Sequence, residues 1–217
     1  MEAEVLARVA SARGELVLRR SGSAYELISN GVFLMDTRSG ASERLLVRAA
    51  LAGRPPGARL LVGGLGVGFS LAEAVASPVP AEIVVVEIEP AIVAWHDSYL
   101  SPFSAGALRD PRVRVVTADL ARWLRDTDET FDAICLDIDN GPEWTVFDHN
   151  ATLYGEAGLT LLRSRLHPGG VLAVWSAAAS GEFAATLRAA VGPVTVLPVE
   201  VPRGEPDVVY LARREAG

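Results

Sequence analysis

Runs of consecutive apolar residues recur from residue 57 onward, and each is followed by glycine or polar residues and then by apolar positions at helical spacing. This alternation is typical of a parallel sheet with helices on both faces. The pattern therefore predicts a doubly wound α/β domain over residues 57–217. Strands are predicted at 60–62, 83–87, 113–116, 133–137, 171–175, 194–199 and 208–212, and helices are predicted to begin near Val67, Pro90, Asp119, Thr152 and Glu182.

The first 56 residues follow a different pattern, in which short extended runs are separated by turn residues. The pair Asn30-Gly31 is a strong signal for a two-residue hairpin turn. The Ala-rich opening segment is helix-like, and a further helix carries Leu45, Leu46 and Ala49 before a stretch of glycine and proline ends it. A small N-terminal β appendage is therefore predicted over residues 1–56, with extended runs at 15–19, 24–28 and 32–35.

Composition narrows the classes of function that the chain can have. With 217 residues, of which 50% are hydrophobic, it can bury a sizeable core. Its net charge of −7 disfavours a nucleic-acid or anionic-membrane surface and suits cationic small molecules. Charged residues interrupt the opening segment and no long uncharged apolar run is present, so a cytoplasmic protein without a membrane segment is expected.

The lysine, cysteine and histidine content of the chain bears on the chemistry that it can perform. All 20 basic residues are arginine, so Schiff-base catalysis by lysine and a P-loop lysine are excluded. Cys135 is the single cysteine and lies in an apolar run, which predicts a core position. His96, His149 and His167 lack the spacing of metal ligands, and no metal site is expected.

A glycine-rich loop follows the first strand of the predicted sheet. Gly64, Gly66 and Gly68 alternate with apolar residues, and the next strand ends in Glu87. Such glycines leave backbone N–H groups at a helix start open to a ligand, and an acid at the tip of the second strand can bind both ribose hydroxyls. Glycines also form ordinary tight turns, but strand, loop, helix and acid together favour a site for a nucleoside-containing cofactor.

Two further acidic positions follow strand ends and are expected in the same crevice, because parallel strands present their carboxyl ends at one edge. Asp119 could accept a hydrogen bond from the exocyclic amine of adenine, or it could cap the helix that it precedes; both interpretations stay open. Asp137 and Asp139 leave a buried strand together. Such a pair can bind an ammonium group and deprotonate an attacking amine, although the residues after Asp137 are also typical of a turn.

Aromatic residues follow this acidic pair. Trp144, Phe147 and Tyr154 could form the wall of a substrate pocket, or they could pack in the core. The residues predicted for the substrate site are therefore Asp137 as the catalytic residue, with Asp139, Trp144 and Tyr154 as substrate-binding residues.

In their order and spacing, these segments resemble the spermidine synthases, aminopropyltransferases built on the fold of class I S-adenosylmethionine-dependent methyltransferases. The resemblance extends from about Tyr25 to Trp175 and implies a mostly parallel, seven-stranded Rossmann-like sheet and a homodimer. The segments that carry it are the Asn30-Gly31 hairpin with Ser42-Glu43, the glycine loop, 86–89, 110–113, Asp119, 131–137, Gly141-Pro142, Phe147, Tyr154 and the turn at 166–170.

The resemblance also implies a role for each matching residue. Gly64, Gly66 and Gly68 would form the cofactor loop, Glu87 would bind the ribose, and Asp119 would bind the adenine. Asp137 would receive the amine proton or position the amine. The implied reaction transfers an aminopropyl group from decarboxylated S-adenosylmethionine to a diamine such as putrescine and releases methylthioadenosine.

The chain departs from the family pattern at several positions. Gly66 stands where the family's glycine loop carries an aspartate for the cofactor's ammonium group, and Leu46-Val47-Arg48 replaces a tyrosine-histidine-glutamate run. The family's glutamines have no counterpart in a chain without glutamine. Two alternatives therefore stay open: methyl transfer from S-adenosylmethionine, which releases S-adenosylhomocysteine, and a non-catalytic domain that binds methylthioadenosine.

Overall fold

The computed structural model describes residues 3–138, 140–143, 145, 150–201 and 204–216. Its N-terminal part is an antiparallel sheet of strands β1 (Glu4–Ser11), β2 (Gly14–Ser21), β3 (Ala24–Ser29) and β4 (Val32–Asp36). Each strand pairs with the next along the chain. The turn between β3 and β4 has positive φ at both Asn30 and Gly31, 50° and 79°, which confirms the hairpin that this pair predicts.

The opening segment is a strand, so the expectation of a helix there is wrong. β1 pairs antiparallel with β2 from Glu4 to Ser11. The alanines of β1 favour a helix locally. In the structure β2 instead provides hydrogen-bond partners for the backbone of β1, and Leu6 and Ala7 pack against the hydrophobic core. Strand pairing and packing therefore override the local preference.

The remaining strands form the mostly parallel sheet that the sequence predicts. They are β5 (Ala58–Gly63), β6 (Pro80–Glu87), β7 (Val113–Thr117), β8 (Phe131–Leu136), β9 (Leu166–Ser176), β10 (Val194–Val199) and β11 (Asp207–Arg213). The spatial order is β10-β11-β9-β8-β5-β6-β7, and among these described strands β11 runs in the direction opposite to the other six. This arrangement confirms the doubly wound, mostly parallel α/β class.

Helices cover both faces of this sheet and enclose two hydrophobic layers. Leu60 and Val62 of β5 point to one layer, whereas Leu61 points to the other, because successive residues of a strand face opposite sides. The helices are α1 (Ala41–Leu51), α2 (Phe69–Ala76), α3 (Pro90–Trp95), α4 (Leu120–Asp126), α5 (Ala151–Tyr154), α6 (Glu156–Ser164) and α7 (Gly181–Ala190), with a 3₁₀ turn at Ala107–Arg109.

The cysteine lies in the core position that the sequence predicts for it. Cys135 is fully buried in β8, as its apolar context predicts.

α1 packs against β9 and β11 of the main sheet, and a division of the chain into units of 1–56 and 57–217 stays a proposal. Within the ranges that the structure describes, no helix combines the length and apolar character needed to cross a bilayer.

β5 is the strand where the direction of sheet growth reverses. The chain continues outward through β6 and β7, and then returns to build β8 and β9 on the other side of β5. Ligands of open α/β sheets bind beyond the carboxyl ends of the strands at such a point. Here the backbone N–H of Asp137 donates to the Gly63 oxygen at 2.8 Å, so the loops after β5 and β8 contact each other directly.

Candidate active site

The loop between β5 and α2 is shaped by its glycines. Gly64, Gly66 and Gly68 have φ angles of 89°, 49° and 95°, in the region that favours glycine. A Cβ atom at Gly64 would lie 2.1 Å from the Asp137 carbonyl oxygen, so this approach of the two loops requires glycine. Gly64 and Gly66 line a cavity of about 560 Å³ at the carboxyl edge of the sheet, called the edge cavity below.

Glu87 ends β6 beside the glycine loop and lines the edge cavity. Its side chain is 5% exposed, and it accepts the backbone N–H of Leu65 at 2.9 Å and that of Glu89 at 2.8 Å. Burial raises the pKa of Glu87, whereas these N–H groups lower it. Since a carboxylate has about four acceptor positions, Glu87 can fix the loop and still accept further hydrogen bonds from a ligand.

Asp119 lies between β7 and α4 and lines the same cavity. Its Oδ1 atom accepts the backbone N–H of Arg122 at 2.7 Å, which makes it the N-cap of α4. The capping interpretation is therefore confirmed. Contact of Asp119 with a base stays a prediction.

Asp137 follows β8, lies against the glycine loop and lines the edge cavity. The Ser70 hydroxyl, on the first turn of α2, donates to its Oδ2 atom at 2.7 Å. Burial raises the pKa of Asp137 to about 6, the Ser70 hydrogen bond opposes this, and the charges of Asp207 and Glu87 add to it. A carboxylate with this pKa is a stronger proton acceptor than an ordinary aspartate and is still largely ionised at neutral pH.

Two acids that were not predicted as site residues lie near Asp137. Glu43 is in the first turn of α1, and Asp207 is the first residue of β11. Both line the edge cavity, and we call Glu43, Asp137 and Asp207 the acidic cluster. Among the described residues, no group of histidine, cysteine, aspartate and glutamate side chains has the arrangement of a metal site.

Ser42 connects two members of the acidic cluster. Its hydroxyl lies 2.8 Å from Asp207 Oδ2 and 3.0 Å from Glu43 Oε2. A hydroxyl has one proton and can donate to only one of these two carboxyl groups. Both contacts are hydrogen bonds when the other carboxyl is protonated and donates to the Ser42 oxygen. Burial raises the pKa of Glu43 to about 7, and the Asp137 and Asp207 charges contribute to the same shift. The acidic cluster therefore holds a proton readily as long as it has no cationic partner.

Met35 of β4 occupies the space above Gly66. A Cβ atom at Gly66 would lie 2.4 Å from the Met35 sulfur, and both residues line the edge cavity. The N-terminal sheet thus contributes a wall of the cavity. At this point of the loop the wall is an apolar thioether rather than a carboxylate.

The charge of the edge cavity is strongly one-sided. Of the described charged residues that line it, Arg13 is the one cation, and it pairs with Glu89 at 2.8 Å. The acids are Asp36, Glu43, Glu87, Glu89, Asp119, Asp137, Glu205 and Asp207. Acidic walls in a partly apolar cavity favour cationic ligands over anionic ones.

The structure brings some predicted site residues together and separates others. Gly64, Gly66, Glu87, Asp119 and Asp137 share the edge cavity. Gly68 precedes α2 and does not line the cavity in the described part of the chain. Asp139, Trp144 and Phe147 lie outside the described residues, so their predicted roles stay predictions.

Tyr154 is placed differently from the other predicted site residues. It is buried in α5 with its ring 5.9 Å from that of Phe183, in the hydrophobic layer under α6 and α7. It is not among the described residues that line the edge cavity. The structure therefore gives Tyr154 a packing position, and its contact with a substrate stays a prediction.

The fold and the edge cavity together define a doubly wound α/β protein with an acidic cavity at the switch point of its sheet. Residues 41–180 match the family described as the spermine/spermidine synthase domain. The chain belongs to this family.

Comparisons with individual proteins agree with this assignment. The chain is 32% identical over 170 residues to a polyamine aminopropyltransferase of Corynebacterium efficiens, covering 76% of this chain and 31% of the relative. It is 32% identical over 204 residues to that of Mycobacterium tuberculosis, covering 88% of this chain and 38% of the relative. The chain thus spans about a third of the length of these curated relatives.

Solved structures show the same fold. A spermidine synthase in complex with the transition state analogue AdoDATO superimposes with a TM-score of 0.83 at 18% identity, over 99% of this chain and 75% of the other. The spermidine synthase of Thermotoga maritima gives a TM-score of 0.77 at 15% identity, over 99% and 73% of the two chains. These similarities establish the Rossmann-like architecture.

Proposed function

We propose that this protein transfers an aminopropyl group from decarboxylated S-adenosylmethionine to a small amine. The observation that carries the proposal is that one cavity is lined by both the glycine loop with Glu87 and the acidic cluster. The first set of residues suits a nucleoside, and the second set suits an amine that must be bound and deprotonated.

The loop residues fit the adenosyl part of this cosubstrate. Gly64 and Gly66 line the edge cavity with backbone, Glu87 has acceptor positions for ribose hydroxyls, and Asp119 would accept a hydrogen bond from the base amine. When bound, the sulfonium supplies a carbon that is activated for displacement.

The charge of the edge cavity favours the decarboxylated cosubstrate. Its sulfonium and ammonium groups make it a dication, whereas S-adenosylmethionine carries an additional carboxylate. The described lining offers acids to a cation, and its one arginine, Arg13, is paired with Glu89. An additional carboxylate would face repulsion from the acidic residues.

Asp137 is the residue that would take the proton. As the new N–C bond forms, the C–S bond of the sulfonium breaks and methylthioadenosine leaves. The amine nitrogen loses a proton, and Asp137 accepts it while the Ser70 hydrogen bond keeps the carboxylate oriented. Glu43 and Asp207 would hold a second ammonium group of a diamine acceptor, and that cation would replace the proton that the acidic cluster otherwise shares. A homodimer, as the resemblance implies, is part of the same proposal.

Methyl transfer from S-adenosylmethionine is a second candidate because of one observation. Gly66 has no side chain for the cosubstrate's ammonium group, and the Met35 sulfur occupies the space above it. A carboxylated tail would therefore meet no acidic side chain at that position of the loop.

Thermal unfolding of the purified protein with different ligands separates these candidates. A ligand at about 100 times its dissociation constant adds about 2.7 kcal/mol to the free energy of unfolding, which raises the melting temperature by about 5–10 °C for a chain of this size. We expect this shift with decarboxylated S-adenosylmethionine and with methylthioadenosine, and a further shift when putrescine is added to the latter. NAD serves as the control ligand.

Two outcomes of this measurement would change the account. Absence of a shift with every adenosyl sulfonium and with methylthioadenosine would contradict the proposed nucleoside site. A larger shift with S-adenosylmethionine than with its decarboxylated form would favour methyl transfer.

A further inference from the structure

His96 contacts the glycine loop although it does not line the edge cavity in the described part of the chain. It follows α3 directly and is 4% exposed. Its Nε2 atom lies 3.0 Å from the Gly66 carbonyl oxygen, and its Nδ1 atom lies 3.1 Å from the Ser104 hydroxyl. The proposed reaction gives this buried imidazole no chemical role.

The hydrogen-bond partners determine which nitrogen of His96 carries the proton. A carbonyl oxygen can only accept, so Nε2 must donate to Gly66. In the neutral ring Nδ1 is then an acceptor, and the Ser104 hydroxyl can donate its one proton to Nδ1 at 3.1 Å or to the Ser101 carbonyl oxygen at the longer distance of 3.3 Å. Burial lowers the pKa of His96, which favours this neutral form, although the Gly66 carbonyl opposes the shift.

Gly66 is therefore held from two sides. Its carbonyl oxygen accepts from His96, and its N–H faces the Glu87 carboxylate closely enough to lower the pKa of that acid. The loop also packs tightly on the ring, since a Cβ atom at Gly68 would lie 2.7 Å from His96 Cε1 and 2.7 Å from Ser104 Cβ. The N–H and the carbonyl belong to the peptide units on either side of the Gly66 Cα atom, so the two contacts together restrain both backbone angles of Gly66.

We propose that His96 is a positioning residue for cosubstrate binding, which fixes the Gly66 peptide through its Nε2–H group and so keeps the loop and Glu87 in the geometry that an adenosyl ligand requires. It acts through Gly66 and touches no substrate. The functional part of this inference rests on the proposed nucleoside site, whereas the loop geometry can be tested without any ligand.

The variants His96→Leu and His96→Gln test the donor directly. Leucine fills the space without a donor, whereas the glutamine amide nitrogen can reach the position of Nε2. We expect His96→Leu to raise the dissociation constant for methylthioadenosine by about tenfold, as for loss of a buried hydrogen bond, and His96→Gln to restore it to within about threefold. The Michaelis constant should rise for the sulfonium cosubstrate and not for the amine.

A ligand-free measurement keeps the two proposals distinguishable. Amide hydrogen exchange at Leu65 and Gly66 should be faster in His96→Leu than in the wild type or in Leu162→Ala, a destabilising control in the other hydrophobic layer. If the wild type binds no adenosyl ligand, the proposed function fails while the exchange rates still decide the role of His96. If His96→Leu and Leu162→Ala have equal amide exchange rates at Leu65 and Gly66 and equal affinity for methylthioadenosine, the proposed role of His96 is overturned.

The tautomer of the wild-type ring gives a test that needs no variant. Nitrogen-15 spectra should show the proton on Nε2 of His96 at neutral pH. A proton on Nδ1 alone would overturn the inference, because the Gly66 carbonyl would then have no donor from the ring.

Discussion

Replacement of Asp137 by asparagine is expected to lower kcat for aminopropyl transfer by about 10²–10⁴-fold, because the variant lacks the group that accepts the amine proton. Asparagine keeps the size of the side chain and can still pair with the Ser70 hydroxyl that lies 2.7 Å from Asp137 in the wild type. The dissociation constant for methylthioadenosine should therefore change little. Rates of product formation and calorimetric binding measured on the same preparation check both expectations.

Asp132→Asn is the matched control, since Asp132 belongs to β8 as well but lies near its opposite end, beside His167. Its kcat should equal that of the wild type. In the wild type, kcat/KM should fall as the pH is lowered through about 6, because the raised pKa of Asp137 in the ligand-free protein brings protonation of the proton acceptor into this range. Retained turnover in Asp137→Asn would remove this residue from its proposed role.

Replacement of Glu87 by glutamine is expected to weaken binding of methylthioadenosine by about 10- to 100-fold, the range for hydrogen bonds to a charged group. The wild-type carboxylate accepts the backbone N–H groups of Leu65 and Glu89. A glutamine side chain has only one acceptor oxygen, and its NH₂ group would face one of these donors. Both the loop and the ribose contacts should therefore weaken.

Glu82→Gln is the control for this variant, because Glu82 lies toward the start of the same strand and pairs with Arg59. Isothermal titration with methylthioadenosine should give the wild-type dissociation constant for Glu82→Gln. Equal affinities for Glu87→Gln and Glu82→Gln would show that Glu87 does not bind the nucleoside.

Hydrophobic patterning was sufficient to predict the central strands of the main sheet because these strands are buried on both faces. Leu60, Leu61 and Val62 are all fully buried, so the run is apolar throughout and stands out from its surroundings. The first strand gave no such signal. Its burial pattern is mostly exposed, and its conformation depends on pairing with β2, which local composition does not encode.

Some residues of the candidate site could likewise be predicted from the sequence, and others could not. Glu87, Asp119 and Asp137 follow strands of the parallel sheet, and strand polarity alone predicts that they meet at one edge. Asp207 reaches this edge because β11 runs in the opposite direction, so its first residue lies where the parallel strands end. An acid directly before an apolar strand is a signal for such a position only once the reversal of that strand is known.

Glu43 and Met35 depend on tertiary structure even more strongly. Glu43 joins the acidic cluster because α1 packs on the sheet, and Met35 covers Gly66 because the N-terminal sheet closes over the loop. Neither contact follows from the spacing of residues along the chain. The sequence also leaves open whether the aromatic residues after β8 line a pocket or pack in the core. For Tyr154 the structure shows packing against Phe183.

The central claim is that one cavity holds an adenosyl sulfonium at its glycine loop and an amine at its acidic cluster, so that transfer takes place between them. The most direct test is to incubate the purified protein with decarboxylated S-adenosylmethionine and putrescine and to quantify the products by mass spectrometry. The account predicts methylthioadenosine and the aminopropylated amine in equal amounts, at a rate that Asp137→Asn reduces at least about a hundredfold. Formation of neither product by protein that binds methylthioadenosine, or a methylated amine formed only from S-adenosylmethionine, would contradict it.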